Sequence, residues 1–306
     1  MIAALIIADG KTARGDSFEP EKEVGTIPAI QRIVLVFQRA GIDRVVVVCD
    51  GSDDKTEKLA SYMNVVFLHG SADALMLDNV KIGLSWLKEK CEAAIITHAN
   101  VPLFSVETVK ALTAVKGDVC VPFHNGNAGH PIVLRSEHFD MVLSYSGEGG
   151  LSGAVKSSGL RRVLVEVDDE GILANVGHDE NFERLIDGHS LRESYLDAKL
   201  RIVREKPFYG HGVHMLLQLI EEEHSISGAC RRMGMSNSKG RNIIANMEQQ
   251  LGYPVIESRQ GTLKGMNPGG FSVVTERGRE LMSRYDNLCS EARICLRELY
   301  KKHFTD

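Results

Sequence analysis

Val45, Val46, Val47 and Val48 follow one another without a polar break. Successive side chains of a strand point to opposite faces, so a strand made from this run carries valine on both faces and must be covered on both. That is the position of a strand inside a sheet flanked by helices. The surrounding chain agrees. Beta-rich runs at 2–8, 44–49, 65–68, 93–97 and 119–122 alternate with helical patterns at 28–39, 55–63 and 74–88. Such alternation calls for right-handed crossovers and a mostly parallel sheet, so the front of the chain is expected to be an α/β, Rossmann-like doubly wound domain. It is expected to close with a helix near 179–186, followed by a polar stretch, 187–197, that reads as a connector.

Beyond 199–203 the pattern is mainly helical, at 213–223, 227–233 and 236–251. Two short strand-like runs follow, 255–259 and 271–274, around a loop with Gly261, Gly265, Gly269 and Gly270. Three helices and a hairpin are the order of a winged helix-turn-helix, which gives an expected division into 1–190, a linker 191–200, and 201–306. Gly234 suits a left-handed helix end and Ser236 suits an N-cap. With Ile243, Ile244, Met247 and Leu251 facing inward, Asn237, Ser238, Lys239 and Arg241 are left exposed where a recognition helix meets base edges and phosphates. Arg259 and Lys264 fall on the expected wing. A last helix over 276–302 sets Leu281, Tyr285, Leu288, Ala292, Cys295 and Leu299 at alternating steps of four and three, a stripe that serves either its own domain or a dimer seam.

Charge separates the two parts. Residues 201–306 hold 16 Lys+Arg against 12 Asp+Glu, net +4, which leaves −9 on 1–200 of a chain whose total is −5. The basic rear points to a polyanionic partner. Few aromatic residues there are placed for base stacking, so the expected partner is double-stranded DNA. No apolar run nears the roughly 20 residues of a membrane span. The apolar start, Met1 to Ala8, lacks a basic leader and reads as a first strand instead of a signal peptide. Six cysteines without CxxC spacing suit reduced core thiols in a cytoplasmic protein and give no zinc signature.

The rear also carries a resemblance. Lys206-Pro-Phe-Tyr-Gly210, Ser225-Ile-Ser-Gly-Ala-Cys-Arg-Arg-Met-Gly-Met-Ser236, Glu248-Gln-Gln-Leu-Gly-Tyr-Pro-Val-Ile-Glu-Ser-Arg259 and Val274-Thr-Glu-Arg-Gly-Arg-Glu-Leu281 resemble the LysR-type winged helix of molybdate-responsive repressors of the ModE kind. The resemblance covers about the last 100 residues. It implies a homodimer on a roughly palindromic operator, and a link to molybdenum. The separate ligand-binding domain that such regulators place after the winged helix has no counterpart here, so any sensing falls to the front domain or to a partner.

At the front, Ile6-Ile-Ala-Asp-Gly-Lys-Thr-Ala-Arg-Gly15 follows the first strand, and Lys22 comes soon after. Backbone NH groups at Ala8, Asp9 and Gly10, with Arg14 and Lys22, can cradle a triphosphate; the same segment also serves as an ordinary strand-to-helix turn. It is similar to the opening LAAGxSxRMG motif of the nucleotidyltransferases that attach GMP or CMP to molybdopterin. Ala99-Asn-Val-Pro102 stands at that family's GDxP-like turn. Gly129-His-Pro-Ile-Val-Leu134 matches its GHP motif, and Asp168-Asp-Glu-Gly-Ile172 with 175–182 matches its last strand and helix. The resemblance spans roughly 1–187. It implies a nucleotide against Ala8, Asp9, Gly10, Arg14, Lys22, Asn100 and Pro102, a pterin-side contact from Gly129 and His130, and Mg²⁺ with CTP or GTP. Without the resemblance, His130 is equally a strand residue whose ring a neighbour satisfies.

Departures from that family bear on activity. Its two metal-holding aspartates align with Asn100 and Gly177, and two carboxylates are how such sites hold Mg²⁺ on a triphosphate. Asp9 adds negative charge beside the phosphate loop, Gly15-Asp16 replaces the usual Met-Gly, and Ser152 stands where an arginine is common. Asp73 and Asp78 read as solvated helix residues and not as replacement ligands, and His178, His211 and His214 as surface histidines. The expectation is a transcriptional regulator whose transferase-like domain has lost or weakened catalysis and senses a nucleotide, molybdopterin or a related compound. The alternatives are a working molybdenum-cofactor cytidylyl- or guanylyltransferase with a regulatory tail, and a protein-binding module.

Overall fold

The computed structural model describes all residues except 11–16, 50–53, 72–73, 177–181, 190, 192–193, 195, 197, 262–268 and 305–306. The chain forms two compact units, Met1–Glu193 and Ser194–Asp306. Arg14, Gly177, His178 and Lys264, all named from the sequence, lie outside the described residues.

The first unit runs β1 Ile2–Ala8, β2 Glu23–Val24, β3 Ile27–Pro28, α1 Ala29–Arg39, β4 Val45–Cys49, α2 Asp54–Ala60, β5 Val65–His69, α3 Met76–Leu87, β6 Ala93–His98, α4 Val106–Ala114, β7 Val119–His124, β8 Asn127–Ala128, β9 Ile132–Arg135, α5 Phe139–Ser144, α6 Gly150–Ser157, β10 Arg162–Glu166 and α7 Phe182–Asp187. The sheet order is β10-β7-β9-β6-β1-β4-β5, with β8 beside β7. Neighbours are parallel except where β9 runs antiparallel between β6 and β7, and β8 against β7. The valine run sits on β4, paired to β1 and β5, and all four valines are wholly buried. On one face Val45 and Val47 join Ile30, Ile33 and Phe37 of α1 in the main core; α3 packs against β1 and β4. Two-sided cover thus accounts for an unbroken apolar strand.

From β1 the chain steps outward to β4 and β5, then returns to β6 on the other side of β1. In open α/β sheets the crevice outside the carboxyl ends of the strands at such a reversal is where ligands bind. Here it is bounded by the ends of β1 and β6. At the close of the unit, His189 lies in the polar stretch read as a connector, yet it is buried at 5% exposure. Its Nδ1 faces the Arg32 Nη1 donor at 3.3 Å and accepts from the Leu191 amide, so Nε2 carries the proton given to the Phe104 carbonyl at 3.1 Å. Burial first, and then the Arg32 charge, hold this ring below the usual histidine range.

The second unit runs β11 Arg201–Val203, β12 Pro207–Gly210, α8 His211–Glu223, α9 Ile226–Arg232, α10 Asn237–Leu251, β13 Ile256–Gly261, β14 Gly269–Val274 and α11 Glu276–Phe304. β13 and β14 pair antiparallel from Ile256↔Val274 to Gly261↔Gly269. Their base is pinned by Glu248 Oε1, which accepts from the Val255 and Ile256 amides, and by the Ser272 amide, which donates to the His224 carbonyl. The β11–β12 hairpin ahead of α8 is an element the sequence reading did not resolve.

Two expectations are corrected in this unit. His214 is not a surface histidine: it is 4% exposed, with Nδ1 3.0 Å from the Tyr209 hydroxyl and Nε2 3.0 Å from Asp286 Oδ1. It lies one turn from Leu217 on the apolar side of α8. Nor are all six cysteines core thiols. All are free, but Cys295 is exposed and only Cys49, Cys120 and Cys230 are buried. On α11, Met282 and Tyr285 turn inward, and the Tyr285 hydroxyl donates to the Leu200 carbonyl, while Leu288 and Leu299 remain exposed. Among the described residues no helix is long and apolar enough to cross a membrane.

Candidate functional site

Asp9 leaves β1 at the crevice and is buried. The Asn79 amide, wholly buried on α3, donates to Asp9 Oδ2 at 3.0 Å. Gly10 has φ 73°, a conformation that favours glycine, and its carbonyl accepts from the Phe18 amide at 2.8 Å. Ala8 is buried beside it and Lys22 is exposed. A buried carboxylate at the end of β1 opposes a triphosphate there, since like charge in a poorly solvated place is costly.

Asn100 and Pro102 follow β6, and both are buried. The Asn175 Nδ2 donates to the Leu173 carbonyl, which turns its Oδ1 toward Asn100; Asn100 Nδ2 donates to it at 2.9 Å. The Val176 amide, next to Gly177 in sequence, donates to the Asn100 carbonyl at 3.0 Å. At the turn that resembles a GDxP-like turn the side chain therefore presents an N–H already engaged with a second amide. Mg²⁺ is a hard cation that seeks carboxylate and water oxygens. These residues do not fit it, and no step through Mg²⁺ follows from them. Asp78 is exposed and accepts from the Leu75 amide as a helix-start residue; Asp73 lies outside the described residues. Among the described residues, Asp118, Glu137 and His138 bring ligand atoms within 4.8 Å of one another. Asp118 precedes β7, which runs parallel to β6 through the intervening β9, so this surface group lies at the opposite edge of the sheet from the crevice.

The histidines of the crevice are the part that sequence reasoning half found. Gly129 approaches the Ile172 carbonyl so closely that a Cβ there would lie 2.4 Å from the oxygen, and the His130 amide donates to that carbonyl. The His130 ring meets the ring of His98 edge-on, centroids 5.7 Å apart. His98 ends β6 at 7% exposure. Desolvation, and the neighbouring His130, push its pKa down to about 3; burial also lowers that of His130, opposed by a hydrogen bond with the Ile96 backbone. The signal for His98 was its parity: two residues before Asn100, on a strand whose Ile96 and His98 share a face.

In the second unit, α9 is capped by Ser225, which accepts from the Gly228 amide, ends at Arg232 and is followed by Gly234, φ 60°. Ser236 then caps α10 by accepting from the Lys239 amide. Gly240 is buried because a Cβ there would come within 2.1 Å of Cys230 Sγ on α9. That contact locks the two helices and leaves Asn237, Ser238, Lys239 and Arg241 exposed along the first turns of α10. Ile244 and Met247 are buried, Ile243 and Leu251 partly so. Arg259 lies on β13.

An open, mostly parallel sheet with its crevice at the β1/β6 reversal defines a nucleotidyltransferase-like α/β fold. The MobA-like NTP transferase domain matches residues 4–166, and the chain belongs to that family. Solved structures agree in fold. A nucleotidyl transferase from Methanothermobacter thermautotroptrophicus is 18% identical with a TM-score of 0.53, over 61% of this chain and 97% of that one. An Rv0371c homologue from Mycobacterium sp. strain JC1 is 18% identical with a TM-score of 0.50, over 61% and 96%. No curated protein matches the chain.

Proposed function

We propose that this protein is a DNA-binding transcription regulator, connected with molybdenum or molybdopterin metabolism, in which a MobA-like unit serves as a ligand sensor and not as an enzyme. The observation that carries the reading is the first turn of α10. Ser236 caps it, Gly240 seats it on α9, and Asn237, Ser238, Lys239 and Arg241 stand exposed at a helix N-terminus, an arrangement suited to base edges and phosphate. Arg259, on β13, and Lys264, which lies outside the described residues, are assigned to backbone phosphate. The amide pair Asn100–Asn175 supports loss of transfer chemistry, and exposed Leu288, Cys295 and Leu299 support a homodimer through α11. The ligand is a nucleotide, molybdopterin or a related heterocycle, held by Ala8, Asp9, Gly10, Arg14, Lys22, Asn100, Pro102, Gly129 and His130, and it acts by changing affinity for DNA.

The test is selection of duplexes from a random library on the full chain, followed by fluorescence anisotropy with wild type and Lys239→Ala/Arg241→Ala. Enrichment of a near-palindromic site, with affinity lost in the variant, supports the reading. Failure to enrich any sequence, or an unchanged variant, overturns it.

Membership of the MobA-like family favours a second reading, a molybdenum-cofactor cytidylyl- or guanylyltransferase with a regulatory tail. It requires stabilisation by CTP or GTP that depends on Mg²⁺, and pyrophosphate release with an acceptor. The sensor reading expects no Mg²⁺ dependence.

A further inference from the structure

Three groups of polar side chains in the first unit go beyond the roles assigned above, His130 being shared with the proposed ligand cleft: the surface set of Asp118, Glu137 and His138, the buried Arg32–His189 contact, and the paired rings of His98 and His130. The first is a partly exposed acidic cluster of a kind common without an ion. The second is closed on itself, with His189 Nδ1 occupied by Arg32 and Leu191 and Nε2 by Phe104. The third is open.

We propose that His98 and His130 form a binding site for a borderline transition-metal cation of the zinc or cobalt type, distinct from the Mg²⁺ site whose carboxylates this chain lacks. The two residues lie on neighbouring antiparallel strands, two positions beyond the Ile96↔Ile132 pair, which sets them across from each other at the crevice. Their rings are in edge contact. Nδ1 of each is buried and has no hydrogen-bond partner among the described residues. A neutral imidazole nitrogen that carries no proton is a lone pair, and burying one without a donor is unfavourable unless something supplies the donor. Two unpartnered nitrogens on rings in edge contact are satisfied together by one species that accepts an electron pair from each. A cation does so directly. Both rings are held neutral by burial, the form in which imidazole ligates.

The donor set decides the metal. Imidazole nitrogen suits zinc, cobalt, nickel and copper, whereas magnesium prefers oxygen. Two protein nitrogens leave further coordination positions for water or for an incoming ligand, which is the arrangement of an open site and not of a closed structural one. Asp9 stands at the same edge of the sheet, two residues beyond Ile7, the register partner of His98 on β1. It is engaged by Asn79, so the site as drawn rests on the two rings alone.

The experiment is calorimetric titration of the full chain with Zn²⁺, alongside His98→Gln, His130→Gln and an Asp118→Asn/Glu137→Gln control, each checked by circular dichroism. One Zn²⁺ per chain is expected, with affinity reduced tenfold or more in either histidine variant, unchanged in the control, and not displaced by excess Mg²⁺. Imidazole nitrogen NMR of the wild type supplies a readout that needs no variant to fold: Zn²⁺ must shift Nδ1 of both rings. No binding by wild type, equal affinity in the histidine variants, loss of binding in the control, or unmoved Nδ1 resonances would each overturn the proposal.

Discussion

Asn100 donates from Nδ2 to Oδ1 of Asn175 at 2.9 Å, so two amides close on each other at the turn after β6 that resembles a GDxP-like turn. Converting Asn100 to Asp sets a carboxylate against the Asn175 oxygen, whose own Nδ2 is committed to the Leu173 carbonyl. The buried hydrogen bond is lost and two acceptors are opposed, a loss of about 1–3 kcal/mol. Urea unfolding of Asn100→Asp should show that loss at neutral pH, with part of it recovered in millimolar Mn²⁺ or Mg²⁺ as the carboxylate acquires a cation. A variant as stable as wild type without metal would show that the amide pair is not a structural lock.

Acid should weaken the first unit through its buried histidines. His98 stays neutral when folded, its pKa pushed down to about 3, and protonates freely in the unfolded chain near the ordinary histidine value of about 6.5. The unfolded state therefore binds the extra proton, and the stability this ring contributes is present above that ordinary value and lost as pH falls toward the depressed one. One such proton contributes a slope of about 1.4 kcal/mol per pH unit. Unfolding free energy measured from pH 6.5 to 5 should fall less steeply in His98→Gln, by about one proton. An identical slope would mean that the ring protonates in the folded state.

Val45 to Val48 make the two-sided sheet legible in the sequence, because an unbroken apolar strand has few places to go. Ser236 and Gly234 did the same for the α9–α10 turn, since capping chemistry is local. His98 and His214 were missed for the opposite reason. Their environments are made by residues distant in sequence, His130 across a strand pair and Asp286 on another helix, and neither spacing nor composition carries that information. The reversal that sets β9 antiparallel between β6 and β7 is likewise a matter of pairing and leaves no mark on periodicity.

Gly129 should tolerate no side chain. A Cβ would lie 2.4 Å from the Ile172 carbonyl oxygen, which already accepts from His130. Relief requires that backbone to move, and Gly129→Ala is expected to cost about 1–3 kcal/mol, as overpacking does. Thermal melting of that variant beside Gly126→Ala, where a Cβ meets nothing within 4 Å, separates crowding from the general cost of replacing glycine. Because Gly126 has φ 84°, its variant carries backbone strain alone; equal losses at the two sites would remove the crowding argument.

The His214 cluster offers a test inside the second unit that is independent of DNA. Tyr209→Phe removes the hydroxyl 3.0 Å from His214 Nδ1 and with it that buried hydrogen bond, while its aromatic contacts with Tyr285 remain. A loss of about 1 kcal/mol follows from the missing bond. Hydrogen exchange of the α8 amides should quicken in the variant, and unchanged exchange would place the hydroxyl outside the cooperative core.

Salt dependence discriminates phosphate contacts from base contacts on α10. If Lys239 and Arg241 neutralise phosphates of a bound duplex, each releases counterions, and log affinity against log salt should flatten by about 0.9 for every contact removed. Lys239→Ala then weakens all duplexes alike and reduces the slope by about one. Asn237→Ala carries no charge change, so it should leave the slope intact and relax preference at one or two positions of the selected site by about 1–3 kcal/mol. Both residues are exposed on the first turn behind the Ser236 cap, so neither variant is expected to unfold α10. A slope unaffected by Lys239→Ala and Arg241→Ala would mean that this end of the helix does not face the phosphate backbone.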